Sequence, residues 1–105
     1  MIITVTHQAF EKTPSIVAKV NVGDRTGDIA LEYAYVRTQN IQGSWSRKDF
    51  TKEFNPDYSE DVTVLADLPV VNGQTYGLRS TSMGDYMLLD NKTYKVAMCG
   101  FKEVN

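Results

Sequence analysis

The N-terminal residues alternate between apolar and polar positions with the two-residue period of β-strands. In the run 2–10, one face is formed by Ile3, Val5, His7 and Ala9. In the run 16–22, the apolar face is formed by Ile16, Ala18, Val20 and Val22. Pro14 interrupts the pattern within the polar segment 11–15. Two alternating runs joined by a short polar segment predict an N-terminal hairpin over residues 1–22.

Residues 27–39 predict the one helix of the chain. The three- and four-residue spacing of a helix joins Ile29, Tyr33, Val36 and Asn40. Thr26 is a suitable N-cap, and Asp28 falls in the first turn, where the helix dipole favours a carboxylate. The same stretch also alternates as a strand would, through Ile29, Leu31, Tyr33 and Tyr35. Helix is therefore the prediction, and strand is the alternative that the pattern leaves open.

The periodic pattern disappears between residues 42 and 60, which predicts a long surface loop. Loops of this length in compact domains are usually functional or mobile. Large aromatic and basic side chains alternate here, at Trp45, Arg47, Lys48 and Phe50. Aromatic and Arg side chains are the types that anchor protein interfaces, and rings between cations also occur in single-strand binders. The remaining alternative is a loop that folds Trp45 and Phe54 onto its own core.

Short strands recur in the C-terminal part of the chain. They are predicted over residues 62–65, 76–78, 86–89 and 93–98. Asn72-Gly73 is a turn signal, and Asp90-Asn91-Lys92 is typical of a hairpin connection. With strands outnumbering helices, we predict one α+β domain over residues 1–105. Its residues 61–105 would form a mainly antiparallel, strongly curved sheet or a small SH3-like barrel.

Composition restricts the possible functions. A chain of 105 residues with a net charge of −2 is one domain's length, and its charge is too small for a strong nucleic-acid clamp. No apolar run approaches the roughly 20 residues that span a membrane, so we expect a cytoplasmic protein without membrane contact. The single cysteine, Cys99, excludes an internal disulfide.

Candidate catalytic and metal-binding groups are few. Any Ser-His-Asp arrangement or zinc site would need His7, the only histidine. Cys99 lies among apolar neighbours, where thiols are usually inert core residues. A pair of carboxylates for acid–base catalysis would have to come from a cluster in a solvated turn, formed by Asp57, Glu60 and Asp61. We therefore expect no enzyme activity, no metal and no cofactor.

The segment from Arg79 to Asp85 predicts a structural turn. The hydroxyls of Ser80, Thr81 and Ser82 are expected to bond the backbone of the turn itself. Gly84 is expected to provide its conformation, and Asp85 to cap it. Arg79 then has two interpretations: a buried brace, or an exposed part of a binding surface.

The same segment carries a family resemblance. The sequence Y-G-L-R-S-T-S-M-G-D at residues 76–85 is followed by Leu89-Asp90, Tyr94, Val96-Ala97 and Gly100-Phe101. This pattern resembles small proteins of bacteriophages and mobile elements, including the YodL-type domain. Asn91 stands where that pattern often has Gly. The resemblance covers roughly residues 28–104 and leaves out residues 1–22.

The resemblance implies a small accessory protein, made in the host cytoplasm, that acts by contact with a host or defence protein. We expect a non-catalytic binding module whose contact residues are Trp45, Arg47, Lys48, Phe50 and Arg79. One alternative is a nucleic-acid-contacting module using the loop 42–60. Another is a structural component that self-associates through edge strands, with an oligomeric state that the sequence leaves open.

Overall fold

A six-stranded antiparallel sheet and one helix form the frame of the protein. The computed structural model describes residues 1–104. In chain order the elements are β1 (Ile2–His7), β2 (Ser15–Asn21), α1 (Gly27–Arg37), β3 (Val62–Val64), β4 (Val70–Val71), β5 (Gln74–Thr75), β6 (Tyr86–Leu89), β7 (Lys92–Val96) and β8 (Phe101–Val104). The fold class is α+β, as predicted. No helix among these residues is long and apolar enough to cross a membrane.

The strand order is β3-β2-β1-β6-β7-β8, and the sheet is open. The predicted antiparallel sheet is therefore confirmed, and its alternative, a closed SH3-like barrel, is wrong. The sheet also extends beyond residues 61–105, because the predicted N-terminal hairpin is part of it. The N-terminal hairpin lies in the middle of the sheet because β1 pairs with both β2 and β6. The reason lies in β1 itself, where Ile3 and Val5 are fully buried and His7 nearly so. A strand with one wholly buried face is suited to a central position.

The N-terminal hairpin contains one irregularity. Val5 pairs with Ala18, whereas Thr6 pairs with Ile16, so Val17 is an extra residue in β2. Bulges of this kind bend a strand and change the direction of its side chains. Here both Val17 and Ala18 are buried.

The helix α1 covers one face of the sheet, and two of the three residues that it buries there are alanines. Ala30, Leu31 and Ala34 are its buried residues. It ends two residues before the predicted limit, where Thr38 donates a hydrogen bond from Oγ1 to the carbonyl oxygen of Ala34. Thr26 is the N-cap residue, as predicted, but its side chain makes no capping hydrogen bond. The strand alternative for this stretch is wrong.

The C-terminal half contains two tight hairpins. Asn72 and Gly73 connect β4 to β5, and Asp90 and Asn91 connect β6 to β7, all four with positive φ. Two-residue turns of this kind match the twist of the strands, and Asn adopts them readily. This explains how Asn91 can replace Gly in the pattern. The predicted strand over 76–78 is absent, and β8 is a strand that the sequence analysis did not predict.

Gly84 provides a direct test of the turn that leads into β6. It has φ of +99°, and a Cβ built on it would lie 3.1 Å from the Cβ of Ala9. We expect Gly84→Ala to lower the free energy of unfolding by about 2–3 kcal/mol, measured by chemical denaturation. The matched control is Gly73→Ala, with φ of +77° and no atom near the added methyl. That variant should lose only about 1 kcal/mol. Equal losses would show that Ala9 is no obstacle.

Candidate functional site

A buried carboxylate organises the turn between Arg79 and Asp85. The side chain of Asp85 is fully buried. Its Oδ1 accepts hydrogen bonds from the amides of Gln8 and Ala9, at 2.8 and 2.9 Å. Its Oδ2 accepts one from the amide of Ser82 at 2.8 Å, which is the predicted cap of the turn. One carboxylate thus joins the loop after β1 to the turn before β6.

Arg79 completes this cluster and acts as a brace. Its Nη1 and Nη2 donate to the two oxygens of Asp85 at 2.7 and 2.8 Å. Its Nε and Nη2 donate to Glu11 at 3.1 and 2.8 Å. Every nitrogen of the guanidinium therefore has a partner within the protein. The brace was one of the two predicted roles, and it leaves the side chain poorly placed to bind a partner.

The charges in the cluster are strongly coupled. Burial opposes ionisation of Asp85, but the hydrogen bonds from Arg79 and from the amides of Ala9, Ser82 and Gln8 outweigh it. They lower the pKa of Asp85 from 3.8 to about 2. The hydrogen bond from Arg79 also lowers the pKa of Glu11. The pKa of Arg79 is raised by its hydrogen bond to Asp85 in particular. All three groups are therefore charged at neutral pH.

Two of the three hydroxyls of the turn bond to distant elements. Ser82 Oγ donates to the carbonyl oxygen of Ser80, within the turn, as predicted. Ser80 Oγ instead accepts a hydrogen bond from the amide of Asn40 at 2.8 Å. Thr81 Oγ1 shares one with His7 Nε2 at 3.0 Å. The prediction is wrong for Ser80 and Thr81 because their partners lie far away in sequence.

His7, Thr81 and Asp85 are brought together, but their arrangement differs from a catalytic triad. In a triad one ring nitrogen contacts the nucleophile and the other contacts the carboxylate. Here both Thr81 Oγ1 and the Oδ2 of Asp85, 3.9 Å away, approach the same nitrogen, Nε2. His7 and Thr81 are also 2% and 1% exposed, so neither is accessible to a substrate. Burial lowers the pKa of His7 although Asp85 acts in the opposite direction.

Trp45 belongs to the core rather than to a contact surface. Its side chain is fully buried, and its Nε1 donates to the carbonyl oxygen of Arg79 at 2.9 Å. Its ring meets that of His7 edge to face, with the centroids 6.2 Å apart. The prediction that Trp45 contacts a partner is therefore wrong, and the alternative that the loop folds this ring onto the core is confirmed. The indole fills the space between the loop and the sheet.

The loop over residues 42–60 has no helix or strand, as predicted, yet its own side chains hold it in place. Asp57 accepts hydrogen bonds from the amides of Ile41, Gln42 and Gly43. Asn55 accepts one from the amide of Ser44 and donates to the carbonyl oxygen of the same residue. These bonds give the segment a defined conformation without a regular element.

The cations of this loop also have internal partners. Arg47 forms a bidentate ion pair with Asp49: its Nε donates to Oδ1 at 3.0 Å and its Nη2 to Oδ2 at 2.8 Å. Its Nη1 donates to the carbonyl oxygen of Thr75. Lys48 donates to the carbonyl oxygen of Ser59, and its Nζ lies 3.9 Å from the ring centroid of Tyr58. Burial lowers the pKa of Lys48.

The exposed aromatic side chains of the loop gather around one groove. Phe50 is 45% exposed, Phe54 is 76% exposed, and Tyr76 joins them from the segment after β5 at 47%. With Arg47, whose guanidinium lies 4.7 Å from the ring centroid of Phe50, they line a groove of about 340 Å³. We call this the aromatic groove. Tyr76 was not predicted as a site residue: it begins the segment 76–85, but it was predicted only as part of a short strand.

Metal and thiol chemistry have little support in the described part of the chain. Within residues 1–104, no three His, Cys, Asp or Glu side chains converge as metal ligands would. Cys99 is exposed rather than buried as predicted, since it lies in the connection between β7 and β8.

Comparison with known proteins adds no relative. No family model, no curated protein and no solved structure matches the chain. The resemblance to YodL-type domains therefore stays a prediction from sequence.

The brace can be tested by replacing Arg79 and Glu11, the two partners that surround Asp85, in separate variants. Arg79→Ala leaves the buried charge of Asp85 without its counter-ion, and we expect a loss of about 3 kcal/mol in the free energy of unfolding. Glu11→Gln removes only the partly exposed half of the cluster and should cost at most about 1 kcal/mol. Urea denaturation of the two variants measures both values. Similar losses would contradict the central role given to Asp85.

The loss of stability in the range just below pH 6.5, the ordinary pKa of a histidine, should come from His7. Its folded-state pKa lies below the value of about 6.5 of the unfolded chain, so the unfolded state takes up a proton first as the pH falls. This contribution is complete above about pH 6.5 and is lost progressively below it. His7 is the only histidine, so His7→Gln should flatten the pH dependence of the free energy of unfolding over this range. An unchanged slope would assign the titration to another group.

Proposed function

We propose that this protein is a non-catalytic binding module that recognises a protein partner through the aromatic groove. The observation that supports the proposal is the clustering of Phe50, Phe54 and Tyr76, all largely exposed, around one concave surface. An exposed Phe contributes little to folding, whereas burial of such a ring against a partner is worth about 2 kcal/mol. Aromatic side chains beside Arg are also the usual composition of interface hot spots.

The rigid loop favours such a role. Asp57 and Asn55 hold the backbone of residues 41–44 through side-chain hydrogen bonds, and the last two of these residues line the groove. Arg47 is fixed over Phe50 by its ion pair with Asp49. A surface that is already ordered loses less conformational entropy when it binds. The groove is thus preorganised.

The charge state of the groove favours an apolar protein segment as its occupant. The charge of Arg47 is neutralised by Asp49, so the rings surround a site with little net charge. The sequence resemblance adds the class of partner: a host or defence protein, met in the host cytoplasm. We therefore propose occlusion of such a protein as the mode of action.

The two alternatives have weaker support. Binding of nucleic acid through the loop would require Arg47 and Lys48 to give up their internal partners, because both are engaged within the chain. Self-association through the sheet edges would use β3 and β8, which are only three and four residues long. Short edge strands are a common protection against pairing.

The proposal is tested with two phenylalanines of equal exposure. Phe54, in the groove, is 76% exposed, and Phe10, outside it, is 75% exposed. Immobilised wild type, Phe54→Ser and Phe10→Ser are incubated with bacterial host lysate at moderate salt, and the affinity for any retained protein is then measured with the purified partner by calorimetry. We expect Phe54→Ser to weaken binding by roughly thirtyfold and Phe10→Ser to leave it unchanged. Equal retention by all three would refute the groove as the contact.

A further inference from the structure

One face of the six-stranded sheet is open. Helix α1 and the loop layer, which contains the aromatic groove, cover the face that carries Ile3 and Val5. The alternating positions of each strand point the other way. On this second side lie Ile2, Thr4, Thr6, Ile16, Lys19, Asn21, Thr63, Tyr86, Leu88, Thr93, Lys95, Lys102 and Val104. We call this surface the open face.

The open face carries only positive charge. Its ionisable residues besides Tyr86 are Lys19, Lys95 and Lys102, and no Asp or Glu is among its strand positions. This is unexpected in a chain with 13 acidic and 11 basic residues. None of the acidic side chains therefore stands at a strand position of this surface.

Two of the lysines stand directly opposite each other. Lys95 of β7 pairs with Lys102 of β8, and Tyr86 of β6 flanks Lys95 on its other side. Like charges in cross-strand positions destabilise a sheet, so folding alone gives no reason for this pairing. Among residues 1–104 no ion pair involves either ammonium group. A carboxylate placed between them would relieve the repulsion.

Aliphatic side chains share the open face with the lysines. Ile2, Ile16 and Leu88 are 49%, 55% and 44% exposed. Leu88 lies in the same cross-strand row as Lys19, with Thr4 between them. The surface thus combines cations with apolar contact area, and a complementary partner would combine carboxylates with apolar side chains.

We infer that the open face is a second docking surface, and that it binds an acidic amphipathic segment of a protein. A single strand of nucleic acid would also satisfy the lysines. However, it would need rings for its bases to stack on, and this face offers only Tyr86 among aliphatic and threonine side chains. The aliphatic positions favour a protein. Because the aromatic groove belongs to the layer on the other side of the sheet, this inference does not rest on the proposed function.

The test uses two synthetic probes and the full-length protein. One probe is a peptide with Leu and Glu at helical spacing, and the other is an oligothymidylate. We expect the peptide to bind more tightly than the oligothymidylate and to shift the amide resonances of β6, β7 and β8 in NMR spectra. The double variant Lys95→Gln, Lys102→Gln should weaken peptide binding roughly tenfold. It should fold as well as wild type, because it removes a repulsion.

Two controls separate this surface from the rest of the protein. Lys92→Gln changes a lysine of the same strand that lies on the opposite side of the sheet, and it should leave peptide binding unchanged. Phe54→Ser should also leave it unchanged, which distinguishes the open face from the aromatic groove. The inference is overturned if the peptide does not bind, binds elsewhere, or is insensitive to the double variant. Preferential binding of the oligothymidylate would overturn it in favour of nucleic acid.

Discussion

The ion pair between Arg79 and the buried carboxylate of Asp85 fixes the turn to which the helix and the loop over residues 42–60 are hydrogen-bonded. Asp85 fixes the loop after β1 through the amides of Gln8 and Ala9, and Arg79 extends this connection to Glu11. Burying a carboxylate is expensive unless charge and hydrogen bonds compensate it, and here both do. The turn that carries the pair is thereby locked onto the end of the central hairpin.

The position of the loop over residues 42–60 depends on this fixed turn. The carbonyl oxygen of Arg79 accepts the indole N–H of Trp45, and the amide of Thr81 donates to the carbonyl oxygen of Thr38 at the end of the helix. The loop and the helix are therefore both hydrogen-bonded to the same turn. Phe54 remains exposed, but the next residue, Asn55, is hydrogen-bonded to Ser44, which fixes the backbone beside it. An irregular loop can therefore present a defined binding surface, because it is anchored to the turn that leads into β6.

Local features of this fold could be predicted from sequence, and long-range ones could not. Alternation revealed the N-terminal hairpin, and turn residues such as Asn91 marked the one between β6 and β7. The pairing of β1 with β6 joins residues about eighty positions apart, and no local pattern encodes it. The same holds for His7 and Thr81. Trp45 was misplaced because alternating aromatic and charged residues occur equally in a loop that faces outward and in one that folds its ring inward.

The central position of β1 has a consequence for synthesis and for evolution. Its second neighbour, β6, lies about eighty residues further along the chain, so one edge of the nascent hairpin stays unpaired until that segment has been made. Contacts between such distant residues also slow folding. A relative that shared only residues 28–104 would lack the two strands that join β3 to β6, and its sheet would divide into two separate pieces. The hairpin over residues 1–22 is thus an indispensable part of the fold, and any shortened homologue would need another source of two central strands.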